Sequence, residues 1–227
     1  DLSFTNASGF MALGVIMTIA FFGVAASKGQ LVPSRLQSLA EIGYGFVADL
    51  VRGTAGEEGL KFFPFVFTLF FFVFFANMIG MVPYAFTTTS HIIVTSALAL
   101  LVIAIVIGYG FYKNGFKFLK LFAPSGAPLP IYFILIPIEV ISFFARPLTL
   151  SLRLFANMLA GHIMLKLFAG FVVSLIAAGG AYVIIAPFAF AMGVALNALE
   201  LLVAGLQAYV FAILTCVYLN DALHPAH

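Results

Sequence analysis

Tryptophan is absent from this chain of 227 residues, cysteine occurs once, and only 8% of the residues are charged. The lone Cys216, inside an apolar run, excludes a disulfide or a cysteine metal site within the chain. A net charge of +2 is too small to argue for nucleic acid as a partner. Without Trp, only Tyr is left to form an aromatic belt at a membrane surface. Soluble domains carry about 25% charged residues, and a chain that is 64% hydrophobic cannot build a water-soluble surface of this size. Its apolar residues must face lipid, and the expected class is an all-α integral membrane protein. Motifs for group-transfer chemistry are missing as well. There is no GxxxxGK[ST] phosphate loop, no supported Ser/His/Asp or Cys/His constellation, and the four histidines have no metal-ligand spacing. No cofactor is implied, and no inverted repeat of the secondary-transporter kind is visible.

What is present is a series of long apolar runs, read as one membrane domain over residues 1–227 with about five to six helices. Residues 9–27 carry no charge and are long enough to cross a hydrocarbon core of about 30 Å. No basic region precedes them, so a true span is expected rather than a signal peptide. Pro33 and Ser34 read as a helix start, and Leu36, Leu39, Ile42, Gly43 and Phe46 recur at helical spacing among Arg35, Gln37, Glu41 and Asp49. That pattern predicts an amphipathic surface helix over residues 34–51, followed by a polar loop over residues 52–61. Residues 62–86 and 91–112 form the next two spans, with Asn77 inside the first. Lys113, Lys117 and Lys120 mark the following loop as cytoplasmic, or its organellar equivalent. The loop after the first span, with Lys28, Arg35, Arg52 and Lys61, is expected on the same side, and the short Thr/Ser connection near residues 87–90 outside.

The last hundred residues break the simple pattern. Residues 131–178 are almost continuously apolar, and a helix of that length is on the order of 70 Å long. It must be steeply tilted, lie in the membrane plane, or be broken at Pro137 or Pro147. Gly179 and Gly180 then predict a turn, and residues 181–219 a second long helix, so that the two form a strongly tilted hairpin.

Charge inside such segments costs several kcal/mol, which makes each instance a functional candidate. Glu200 is the single charge in residues 181–219, too deep to reach water along its short side chain. Asn197, Glu200 and Gln207 are three and seven residues apart and are expected to form one polar stripe. A carboxylate there lines a proton or cation path, or else locks two helices together. Arg153 keeps its proton at ordinary pH, so it can hold a fixed charge but cannot relay protons. Glu139, Arg146 and Arg153 are spaced by seven and share a face, with Thr149 and Asn157 one turn either side of Arg153. An arginine here can alternatively snorkel to headgroups. His162 lies nine residues beyond Arg153, about half a turn round the helix, and titrates in the physiological range. Pairing of His162 with Glu200 is expected to satisfy both.

Residues 146–162, RPLTLSLRLFANMLAGH, closely resemble the signature of subunit a of the rotary F-type ATP synthases. PIEVISFFARP before it, NMIGMVPY in an earlier span and LELLVAGLQAYVFAILTCVYL in the last helix are similar to the same family, so that the resemblance runs from the second span to the end. It implies the following. Arg153 faces a ring of c subunits, draws the ring carboxylate into its ionised form and blocks a direct leak between two half-channels. Asn157, His162, Glu200 and Gln207 line the half-channel from the outer side, and Glu139 the exit side. Some members carry Glu at the position of His162 and His at that of Glu200, which supports the two side chains meeting. His91 falls where other members place an acid near the outer mouth, and Lys166 has no assignable role. The implied partners are the c-ring, b-type peripheral stalk subunits, the whole synthase and the lipid bilayer, in a bacterial (or mitochondrial) inner membrane. The rival from the residues alone is a self-contained transporter or channel built on Glu200 and His162; a scaffold with buried charges for helix pairing is the third reading.

Overall fold

The computed structural model describes residues 6–27, 33–82, 87–115, 118–119 and 129–223. Within them the chain forms six α-helices and short 3-10 turns, with no strand. Five helical stretches are long and apolar enough to cross a membrane.

Helix α1 (Asn6–Ser27) is apolar on all sides. Helix α2 (Arg35–Gly59) starts as its sequence predicts: the Ser34 hydroxyl accepts from the Gln37 backbone N–H at 3.3 Å. It does not stop where the polar residues begin. Val47, Val51, Ala55 and Gly59 are buried at intervals of four, so one apolar stripe carries the helix through the stretch expected to be a loop. The polar residues of that stretch point outward. There Arg52 pairs with Glu57 at 3.0 Å, and Glu58 pairs with Lys113. The helix is broken only at Gly56, whose φ of 67° suits glycine.

A 3-10 turn (Leu60–Phe62) leads into α3 (Phe63–Gly80), which has a proline in its first turn, where the missing N–H costs nothing. Its phenylalanines interlock with α1 and α2: Phe22 meets Phe71 and Phe67 at 4.6 and 4.8 Å between ring centres, and Tyr44 meets Phe63 at 4.7 Å. A 3-10 turn (Thr88–Ser90) precedes α4 (Ile92–Asn114), which ends on Gly115 at φ 53°.

The long C-terminal segments are unbroken. Helix α5 (Leu129–Ala178) has 50 residues and runs on through positions 137 and 147; at about 75 Å it exceeds twice the hydrocarbon thickness, so length alone demands strong tilt. Gly179 and Gly180, at φ 68° and 59°, reverse the chain into α6 (Ala186–Leu223). Helix α5 packs on α6 and α4, and α6 is backed by α3 and α2. The core lies along that sandwich. Leu150, Leu154 and Met158 of α5 and Ala204, Ala208, Phe211, Ala212 and Cys216 of α6 are almost wholly buried. Small residues on α6 let its backbone approach its neighbours closely.

Gly179 combines φ 68° with ψ −169°, a region open only to glycine. Gly179→Ala is therefore expected to cost about 1–3 kcal/mol, read as a lowered thermal unfolding temperature of the purified protein; an unchanged temperature contradicts the turn described.

Candidate functional site

The facing surfaces of α5 and α6 are antiparallel, and three residue pairs fix their register. Gly161 stands against Glu200, Asn157 against Gln207, and Arg146 against Asp221. These pairs divide the polar side chains into two groups, one towards each end of the hairpin.

In the first group the Glu200 side chain lies directly over Gly161. A Cβ placed on Gly161 would stand 2.6 Å from Glu200 Oε1 and 2.7 Å from its Cδ, so only glycine leaves room for the carboxyl. Glu200 is 6% exposed, and neither carboxyl oxygen has a hydrogen-bond partner among the described residues. It borders a cleft of about 210 Å³ whose wall includes Asn157, Gly161, Met164 and Leu199. Two turns further along α6, Gln207 is buried and its Oε1 accepts from Asn157 Nδ2 at 3.1 Å. Behind them Asn77 of α3, fully buried, donates to the Ala204 carbonyl at 3.2 Å.

His162 belongs to this group but not by the expected bond. It is the chain neighbour of Gly161, against which Glu200 packs, yet its Nε2 is 2.6 Å from the Thr87 hydroxyl. The reason is the helical step of about 100° between neighbours: Gly161 faces α6, and His162 is turned towards the connection between α3 and α4. Asn197 also stands apart. It lies on the exposed side of α6, since a three-residue offset falls about 60° short of a full turn.

The second group lies at the other end of the hairpin. Arg146 of α5 reaches Asp221 of α6 at 2.8 Å and Glu139, two turns back on its own helix, at 3.8 Å. Its guanidinium also lies over the Tyr218 ring at 5.6 Å. Asp221 and Tyr218 have no counterpart in the expected site, and neither has Thr87. The only sequence signal for Asp221 is an acid in the final turn of a long apolar helix.

Arg153 lies between the groups, about 10 Å along α5 from Arg146 and about 6 Å from Asn157. It is exposed on the surface of the bundle and makes no ion pair or hydrogen bond among the described residues. Thr149 is exposed, and its hydroxyl bonds its own helix at Arg146 O, 2.9 Å away. His91 is exposed at the N-cap position of α4, and Lys166 is exposed on α5.

A family profile described as ATP synthase A chain matches residues 8–220. The chain belongs to the ATP synthase subunit a family. It is 79% identical over 224 residues to ATP synthase subunit a of Hyphomonas neptunium, covering 99% of this chain and 88% of that protein. It is 63% identical to the subunit a of Maricaulis maris and 61% identical to that of Mesorhizobium japonicum, covering 100% of this chain and 91% and 90% of theirs. In this member of the subunit a family, then, the acid and the arginine that lack a partner among the described residues both lie on the α5–α6 hairpin, the acid buried and the arginine outward.

The Gly161 contact generates a test. Gly161→Ala forces the Glu200 carboxyl off its position, and proton pumping per assembled complex is expected to fall roughly tenfold or more. Pumping at the original rate in reconstituted vesicles contradicts the close approach.

Proposed function

We propose that Arg153 is the electrostatic divider between two proton half-channels, one at each end of the α5–α6 hairpin. As a member of the ATP synthase subunit a family, the chain is a proton-translocating component of the F0 sector, multi-pass in the bacterial inner membrane. The finer division of labour is our reading, and the single observation that carries it is the position of Arg153: outward-facing, unpaired among the described residues and lying between two inward-facing polar groups.

The ends of the bundle support an orientation. Asn114, just before the lysine-bearing connection, donates to Ala222 O at 2.7 Å, so that the Arg146–Asp221 group shares the end of the bundle marked cytoplasmic by its lysines. Thr87, at the opposite end of α4, meets His162, so that the Glu200 group opens to the outer side. On this orientation α2 runs along the cytoplasmic face of the membrane.

Protons then pass from outside by way of His162, Glu200, Asn157 and Gln207 to a carboxylate on the ring of c subunits, against which the exposed face of α5 runs. Asn157 and Gln207 hold each other and orient the path; they are polar without being proton carriers. After the ring has turned, the proton leaves beside Glu139 and Asp221, whose charges Arg146 balances. Arg153 keeps its proton at all working pH values. It favours the ionised ring carboxylate as it passes and repels a proton moving straight from one half-channel to the other. The chain forms no ATP itself; nucleotide chemistry belongs to other subunits of the synthase, and b-type stalk subunits hold this one still while the ring moves.

Arg153→Ala removes the divider while leaving both polar groups in place. ATP synthesis driven by a proton gradient is expected to be abolished in assembled complexes, and synthesis at the normal rate overturns the assignment.

A further inference from the structure

We propose that Thr87 is a positioning residue for proton transfer, fixing which nitrogen of His162 gains and loses the proton. The inference rests on the reading of His162 as part of the outer path. A hydroxyl carries one hydrogen and can accept at its lone pairs. The Thr87 hydroxyl donates to the Gly80 carbonyl at 3.2 Å and lies 2.6 Å from His162 Nε2. Assigning that one hydrogen to the Gly80 carbonyl leaves Thr87 its lone pairs to accept at Nε2. His162 is then held as the tautomer with Nε2–H, leaving the Nδ1 lone pair as the basic site. A proton taken up at Nδ1 gives imidazolium, and loss of that same proton from Nδ1 restores the starting ring. The Nε2–H stays on Thr87 throughout.

The surroundings hold Thr87 to this task. It is 8% exposed, and its carbonyl accepts from the Ser90 hydroxyl at 2.7 Å and the Ser90 N–H at 3.2 Å. The last residue of α3 allows the approach: a Cβ on Gly80 would meet Thr87 Cγ2 at 2.7 Å. A glycine at the end of α3 thus lets Thr87 lie against it while reaching across to α5. On the elements packed nearby, the described titratable and charged groups nearest in position are Glu200 on α6, which packs against the neighbouring Gly161, Lys166 one turn on along α5, and His91 at the start of α4.

The test compares ATP-driven proton pumping against pH in vesicles holding the whole synthase, per assembled complex, for Thr87→Val, Thr87→Ser, His162→Ala and the Thr87→Val/His162→Ala pair. Valine keeps the shape without the hydroxyl. Thr87→Val is expected to lower pumping roughly tenfold and to displace its pH profile, while Thr87→Ser restores both. Because Thr87 acts through His162, the pair is expected to be no worse than His162→Ala alone. An unchanged rate and pH profile in Thr87→Val, or equal losses in the valine and serine variants, overturns the proposal, and so does a pair whose losses add. If Thr87→Val does not assemble, Gly80→Ala replaces it, since the new methyl pushes the intact threonine off His162 and is expected to give the same displaced profile; an unchanged profile there overturns the proposal equally. Normal pumping in His162→Ala sinks the outer-path reading itself, whereas a defective His162→Ala beside a normal Thr87→Val sinks only the positioning role.

Discussion

Glu200 can lie inside the protein because α5 presents a glycine opposite it. The carboxyl fills the volume that any side chain at position 161 would take, and this contact sets how closely the two long helices approach. An acid in hydrocarbon is costly, and enclosing it between helices removes it from lipid without giving it a permanent partner. The rest of the register follows from that closeness: Asn157 reaches Gln207, and at the far end Arg146 reaches Asp221. Behind α6, the alanines at 204, 208 and 212 let α2 and α3 support it closely.

The same hairpin sorts its charges by chemistry. Arg146 is tied to acids and an aromatic ring, and so contributes to cohesion as well as to local charge balance. Arg153, seven residues along, makes no ion pair or hydrogen bond among the described residues and faces outward. Two arginines two turns apart on one helix therefore differ in what holds them. The acid Glu200 is enclosed, and the cation Arg153 stands at the outer surface of the hairpin. An unpaired guanidinium in a low-dielectric place acts over a longer range than one in water, which suits a divider.

Most of the helices were legible in the sequence because lipid demands long uninterrupted apolar runs, and Ser34, Gly179 and Gly180 mark their ends by local chemistry. The continuation of α2 was not legible. Arg52, Glu57 and Glu58 read as a loop because their partners, one of them Lys113 in another helix, are invisible locally, while the stripe through Val51, Ala55 and Gly59 is sparse. In the site, Arg153, Glu200, Gln207 and Asn157 stood out as polar residues in apolar segments. Their groupings did not. Asn197 shares the spacing of Glu200 but not its face. His162 is near Glu200, yet its hydrogen bond goes to Thr87, which reads as an ordinary loop residue 75 positions away. Asp221 reads as part of a polar tail until the fold brings it to Arg146. Pairings set by tertiary packing leave no trace in local periodicity.

Passive proton flow through the membrane sector stripped of its soluble subunits tests the division of roles most directly. With Glu200→Gln the outer path loses its titrating group, and flow is expected to collapse. With Arg153→Gln the divider is lost but both paths remain, so flow is expected to persist while coupling to rotation is gone. Undiminished flow in Glu200→Gln, or flow blocked by Arg153→Gln in fully assembled sectors, would contradict the account.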